Sequence, residues 1–299
     1  MTGYEEKKKR LKEQVQIYAK EKCMVAFSGG VDSSLLLKLV CEANARRAED
    51  KGNEAPFHKE VFAVTMQTQL HPACEMEHAA KTAEEIGAVH LVIPADELTE
   101  AGIGHNPPDR CYRCKKYLFS KMKEKAVALG VRTVLEGTNE DDLHVYRPGL
   151  KAIRELGIIS PLADAGFTKA EVRALAAEYG MSVSSRPAVP CLATRFPYGA
   201  ELSYEALRKV EQGEEFLKSL GLYNVRLRIH QETARIEIDP EEFPVLLKNR
   251  EQVVSCIRNL GYQYVTMDLE GFRSGSMDAG VENQFLSRGG AQPREQQVL

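Results

Sequence analysis

Hydrophobic positions follow two alternating patterns along the first half of this chain. Short apolar runs at 24–27, 61–66, 89–94 and 131–135 are separated by stretches in which apolar residues recur at helical spacing. Leu11, Val15 and Tyr18 line one such stretch (4–21). Leu35, Leu36, Leu39 and Val40 line the next, and two more cover 75–86 and about 114–128. Strands alternating with helices predict βα units, a parallel sheet and right-handed crossovers. Ligands then belong at the carboxyl ends of the strands, which here are 28–34, 67–68 and 137–139.

A polar stretch (44–59) separates the second helix from the next strand. The turn at 146–152 brings in two cations, Arg147 and Lys151. Residues 158–162 and a helix over 168–179 close this half, with capping-box spacing at Thr168 and Glu171 and Gly180 as its C-terminal stop. From 182 to 199 the pattern breaks into SVSSRPAVPCLATRFPYG, whose prolines and glycine predict a loop or linker. A helix over 203–220, alternating strands at 225–230 and 234–238, helical stretches within 240–260 and a strand at 264–269 follow. The expected architecture is α/β, a parallel-sheet domain over 1–183 and a smaller α/β domain over 184–299, with a frayed polar tail at about 286–299.

Composition changes this picture little. With 299 residues, 43% hydrophobic and 28% charged, the chain suits two soluble globular domains. No run of about 18 apolar residues predicts a membrane helix. The charged N-terminus lacks a signal core, so a cytoplasmic protein without membrane partners is expected. A net charge of −3 offers no global basic footprint for nucleic acid. Seven cysteines in such a chain argue for thiols or metal ligands over a disulfide framework.

The first strand runs into Ser28-Gly29-Gly30-Val31-Asp32-Ser33-Ser34 and a helix follows at once. The glycines let the backbone turn tightly and approach a ligand. The unpaired N–H groups of the helix start favour phosphate, and three hydroxyls add donors. Asp32 would repel phosphate unless Mg²⁺ or a basic side chain lies between. A plain strand-to-helix turn with polar caps is the bland alternative. The full heptapeptide in this setting resembles the PP-loop of ATP pyrophosphatases; no Gly-Lys-Ser/Thr follows, so it is not a Walker A loop.

Cys111-Tyr112-Arg113-Cys114 follows two prolines and begins a helix, a spacing that lets both sulfurs reach one metal or each other. Incidental thiols are the alternative, since two ligands do not complete a structural zinc site. Cys191, in the proline-rich segment near Arg195, is a candidate nucleophile or ligand. Together with Cys111 and Cys114 it could hold a cluster by three irons. Cys23, Cys41 and Cys256 read as small hydrophobes, and Cys74 stays unassigned. Arg226 and Arg228 share a strand face, suited to a phosphate or carboxylate ligand or to solvent. The loop at 271–276, with Arg273, is equally open. Glu214 reads as a surface acid on pattern alone.

Taken together, SGGVDSS, PPDRCYRCKK (107–116), YRPGLKA (146–152), PCLATRFPYG (190–199), VRLRIH (225–230), ARIE (234–237) and YVTMDLEGFRSG (264–275) resemble the LarE family, from about residue 22 to about 277. The resemblance implies an ATP-dependent sulfur transferase acting on a small-molecule substrate, pyridinium-3,5-biscarboxylic acid mononucleotide. Each carboxylate is adenylated and then converted to a thiocarboxylate for the nickel-pincer nucleotide of lactate racemase. It implies an ATP and Mg²⁺ site at Ser28, Gly29, Gly30, Asp32, Ser33 and Ser34, with Asp32 toward the metal. Cys191 matches the sulfur-bearing cysteine. Glu214, Arg226, Arg228 and Arg273 match positions for substrate phosphate and carboxylate or for catalysis, and Glu242 a further acidic position. It also implies a homo-oligomer. Sacrificial members take sulfur from the Cys191 equivalent, leaving dehydroalanine, and lack the Cys-x-x-Cys. Cys111 and Cys114 place this chain with the branch in which they and Cys191 hold a 4Fe-4S cluster. Rival readings are the sacrificial reaction, a tRNA-thiolating PP-loop enzyme, an ammonia-using amide synthase and a non-catalytic ATP-binding module.

Overall fold

The computed structural model describes residues 3–50 (backbone alone for 48–50), 60–145, 147–186, 189–273 and 276–277. Expectations for Tyr146, 187–188, 274–275 and the 286–299 tail fall outside these residues. The chain divides into two compact units, Met1–Ile103 with Asp109–Pro190, and Gly104–Pro108 with Cys191–Leu299. This division falls later than the expected boundary at 183/184 and assigns a short earlier segment to the second unit.

The first unit holds a four-stranded sheet, β1 (Cys23–Ala26), β2 (Val61–Gln67), β3 (Val89–Pro94) and β4 (Thr133–Leu135). Its order is β3-β2-β1-β4 and every pairing is parallel. Alternation decides which helices each face takes. Cys23, Val25 and Phe27 point into a core with residues of α1 (Gly3–Tyr18), α2 (Val31–Asp50), α3 (Cys74–Ile86), α7 (Pro161–Asp164) and α8 (Lys169–Glu178). Met24, Val64 and Val134 join Phe119 and Met122 of α5 (Arg110–Ala128) and Ile153 of α6 (Gly149–Glu155) on the other face. The short α4 (Glu97–Glu100) follows β3. Because β2 and β3 build outward on one side of β1 and β4 lies on the other, the strand order reverses between β1 and β4. Such a reversal opens a crevice at the strands' carboxyl ends.

In the second unit, α9 (Tyr204–Ser219) precedes β5 (Arg226–His230) and β6 (Thr233–Glu237), which pair antiparallel. A crossover through α10 (Phe243–Lys248) and α11 (Arg250–Asn259) returns β7 (Tyr264–Met267) parallel to β6.

Four expectations need correction. The polar run after residue 44 is helical as far as Asp50, because its Ala, Glu and Arg residues favour helix. Helix α5 begins at Arg110, directly after Pro108 and Asp109, so both Cys111 and Cys114 lie within it. The turn expected at 146–152 passes into α6 from Gly149, and residues 158–162 then form a bridge from Ile159 to Leu135 and enter α7. The segment around Cys191 is not an open linker: a 3-10 turn at Leu192–Arg195 buries Leu192, Ala193 and Arg195, and Phe196 is buried beside it. The capping box of α8 forms as its spacing predicts: the Thr168 hydroxyl accepts from the Glu171 amide, and Glu171 accepts from the Thr168 amide.

Candidate active site

In the first unit, the crevice is formed by the loop after β1 and the loop after β4. Gly29 takes φ +73°, and an added Cβ would lie 2.9 Å from the Ala79 Cα of α3, so glycine is required there. The loop ties itself into a ring. The Ser28 amide donates to the Ser33 hydroxyl (3.2 Å), that hydroxyl donates to the Gly30 carbonyl (3.1 Å), and the Gly30 amide donates to the Ser28 hydroxyl (3.3 Å). Ser34 is fully buried in the first turn of α2, and its hydroxyl has no partner among the described residues. An orphaned hydroxyl, a glycine turn and the amides of a 20-residue helix suit a phosphate chain.

The strand-order reversal brings β4's loop against this ring. A Cβ on Gly137 would meet the Ser33 amide nitrogen at 2.9 Å, so the approach is possible only for glycine. Two residues on, Asn139 donates to Asp32 Oδ1 at 3.1 Å, and Lys169 at the start of α8 binds Asp32 Oδ2. Buried Glu136 fixes the base of the loop, accepting from the Thr138 amide (3.1 Å) and hydroxyl (2.8 Å) and from the Ser160 hydroxyl. Asp32 thus holds a cation with one oxygen and an amide with the other. A Mg²⁺ ion there would take the place of Lys169.

Cys111 and Cys114 occupy the first turn of α5, the former exposed and the latter half-buried. The Arg110 guanidinium lies 3.9 Å from Cys111 Sγ. Two thiols on one accessible turn fit a soft metal or an iron–sulfur cluster.

In the second unit, Arg195 is fully buried and forks onto Glu214 of α9 through Nε–Oε1 and Nη2–Oε2, both 2.8 Å. Its Nη1 donates to the Cys191 carbonyl at 3.1 Å. Glu214 Oε1 also accepts from the Leu227 amide of β5 at 3.0 Å. Arg228 of that strand donates to Glu237 (2.9 Å) and to the Thr194 carbonyl (3.0 Å). One network therefore fastens the Cys191 backbone to the strand that carries Arg226 and Arg228.

The two strand arginines differ in what they leave over. Arg228 is buried against Glu237, which also takes Arg235 at 3.0 Å, so its charge is matched. Arg226 has its guanidinium 4.9 Å from the centre of the Phe272 ring and forms no ion pair among the described residues. Burial, and next the nearby Arg195, push its pKa down to about 10, which still leaves it cationic at neutral pH. A half-buried, unmatched guanidinium suits phosphate or carboxylate. Arg273 is more open and pairs with Glu270 at 2.7 Å and Asp268 at 3.6 Å.

This geometry can be set against known proteins. The NAD synthase family profile matches residues 3–116. The chain is 37% identical over 258 residues to a pyridinium-3,5-bisthiocarboxylic acid mononucleotide synthase of Lactiplantibacillus plantarum, covering 86% of this chain and 89% of that protein. The chain belongs to the LarE family.

It is an ATP-dependent sulfur transferase of the PP-loop superfamily. An uncharacterized protein of Synechocystis sp. is 36% identical over 86% of this chain and 92% of its own length. A tRNA-specific 2-thiouridylase of Kocuria rhizophila is 30% identical over 55% of this chain and 50% of its own length. No helix among the described residues is long and apolar enough to cross a membrane.

Among the LarE-family residues, Ser28, Gly29, Gly30, Asp32, Ser33 and Ser34 come together in one loop, as their contiguity requires. Cys191, Glu214 and Arg228 come together through hydrogen bonds between separate elements, and Arg226 stands two residues before Arg228 on the same strand. Glu214 is not the surface acid its pattern suggests: it is 2% exposed, because Arg195 and the Leu227 amide satisfy it inside the unit. Glu242 accepts from the Tyr223 amide with both oxygens (3.0 and 3.2 Å), a turn-closing role. Sequence reasoning passed over Lys169 and Glu237. Lys169 had one available signal, its place at the first position of a capped helix, and Glu237 the alternation that turns it inward with Arg228.

Proposed function

We propose that this LarE-family enzyme acts on pyridinium-3,5-biscarboxylic acid mononucleotide. A substrate carboxylate oxygen attacks the α-phosphorus of ATP, the bond to the β-phosphate oxygen breaks, and pyrophosphate leaves. A sulfur nucleophile then attacks the acyl carbon, AMP departs with the carbon–oxygen bond's electrons, and a thiocarboxylate remains. The second carboxylate follows in the same way. The observation that carries this reading is the unmatched Arg226, set in the network that holds Cys191. An anionic substrate group and the sulfur residue are then served by one small set of hydrogen bonds. The name of the Lactiplantibacillus relative supplies the product class.

Each residue's part follows from its surroundings. The amides and hydroxyls of Ser28, Gly29, Gly30, Ser33 and Ser34 receive the phosphates of ATP, and Asp32 serves Mg²⁺. Arg226 and Arg273 receive the substrate's anionic groups, with Arg228 braced by Glu237 to hold the strand in place. Glu214 acts through Arg195, whose Nη1 fixes the Cys191 carbonyl. The thiols of Cys111, Cys114 and Cys191 are the donor set for a 4Fe-4S cluster, which would supply a transferable sulfide on the iron without a cysteine.

Iron and acid-labile sulfide in protein purified without oxygen test the sulfur source. Near-stoichiometric iron that is lost in Cys111→Ser is expected. Iron-free protein that converts substrate once and ends with dehydroalanine at position 191 would instead establish the sacrificial route.

A further inference from the structure

The N-terminal end of α3 carries three donor groups that adenylation and sulfur transfer do not use. Cys74, Glu75 and His78 offer a thiol, a carboxylate oxygen and an imidazole nitrogen, all within 4.8 Å of one another. Cys74 and His78 are exposed and stand four residues apart, so they share one face of the helix. Donors on a tetrahedral zinc ion stand about 3.3–3.8 Å apart. Rotation of these side chains by about 1 Å closes the difference.

A cation already bridges two of these three groups. The Arg186 Nη2 lies 2.5 Å from Glu75 Oε1 and 2.9 Å from His78 Nδ1. A guanidinium only donates, so in this contact Nδ1 is the acceptor and aims its lone pair at Arg186. A carboxylate and an imidazole lone pair therefore converge on one position, with a thiol alongside. Cys74 is the first residue of this 13-residue helix, so its thiol stands at the helix start beside Glu75.

We propose that Cys74, Glu75 and His78 bind one divalent transition-metal ion of the zinc class, which displaces Arg186 from the carboxylate and the imidazole. A mixed sulfur, nitrogen and oxygen set selects a borderline metal over Mg²⁺ or Ca²⁺. A solvent-facing fourth position is left for water. Ala79, the residue after His78, is the one Gly29 of the phosphate loop packs upon, so the ion is bound on the helix that seats that loop. The proposal does not depend on the sulfur-transfer reading. Its alternative is a surface ion pair in which Glu75 only anchors Arg186.

Cobalt(II) titration of the full chain decides between them. In protein with Cys111, Cys114 and Cys191 replaced by serine, one equivalent of cobalt should give a near-ultraviolet thiolate-to-metal band that zinc abolishes. The band should vanish in Cys74→Ser, and affinity should fall at least about tenfold in His78→Ala. Arg186→Met removes the competing cation and should tighten binding by about tenfold or more. Absence of the band, its persistence in Cys74→Ser, or weaker binding in Arg186→Met would overturn the proposal. Comparing the otherwise unaltered chain with Cys74→Ser reads the same loss of one equivalent if the triple variant does not fold.

Discussion

Arg195 and Glu214 face each other through two parallel hydrogen bonds of 2.8 Å, with side-chain exposures of 0% and 3%. The pair is internal to the second unit and reaches the Cys191 carbonyl on one side and the β5 backbone on the other. Breaking a buried pair by removing one partner costs ~3–5 kcal/mol, because the remaining charge is stranded. Glu214→Gln should therefore lower the urea midpoint by an amount in that range, and Arg195→Met/Glu214→Leu should recover part of it. In the Glu214→Gln protein that still folds, sulfur transfer should fall further than pyrophosphate release. Equal losses in both would remove Glu214 from the positioning of Cys191.

Two glycines bound the phosphate loop for steric reasons. A Cβ at Gly137 reaches the Ser33 amide at 2.9 Å, and one at Gly29 meets the Ala79 backbone while holding a left-handed φ. Left-handed backbone alone costs ~1–2 kcal/mol for other residues. Gly29→Ala and Gly137→Ala should each lose about that much stability or more, and the rise in Tm on adding Mg²⁺ and ATP should shrink. A full ATP-induced rise in either variant would place the nucleotide elsewhere.

Asp32 is held by Lys169 and Asn139, so its charge is fixed in the crevice before any ligand arrives. Asp32→Asn should reduce Mg²⁺-dependent pyrophosphate release at least about tenfold, in line with ~1.5–3 kcal/mol for a charged hydrogen-bonding group. Raising Mg²⁺ should not restore the rate to that of the parent enzyme. Unchanged release would assign the metal to other ligands.

The phosphate loop was legible because its signal is local: seven contiguous residues between a strand and a helix. The βα order of the first unit was legible for the same reason, each element carrying its own periodicity. The network around Cys191 was not. Arg195 finds Glu214 19 residues away, on another element, and Lys169 finds Asp32 137 residues away. Such pairings follow from burial, which leaves a charged group no solvent and obliges it to take the one counter-charge in reach. Arg226 and Arg228 were rightly placed on one face, yet only tertiary packing decides that Glu237 matches one and leaves the other.

His90 gives a pH dependence to the first unit. Thr65 donates its hydroxyl proton to the Phe27 carbonyl (2.8 Å), so His90 Nε2–H must donate to that hydroxyl (2.8 Å). Burial lowers the His90 pKa below its ordinary value. The unfolded chain then takes up a proton before the native state does. The stability involved is present above about pH 6.5 and is lost as pH falls through that value toward the folded pKa. Tm should drop between about pH 7.5 and about pH 5.5, and the drop should be smaller in His90→Gln, which keeps a donor without a titration. An equal drop in both proteins would assign the effect to other groups.

The central claim is tested most directly by the fate of the substrate's oxygen. Protein reconstituted with iron and sulfide without oxygen, ATP, Mg²⁺, a sulfide source and pyridinium-3,5-biscarboxylic acid mononucleotide are combined, and the nucleotide is weighed by mass spectrometry. Two successive oxygen-to-sulfur exchanges are predicted, each with one AMP and one pyrophosphate, and none in Cys191→Ala. Nucleotide that keeps all four carboxylate oxygens, while thiolated tRNA forms when tRNA is offered under the same conditions, would contradict the account.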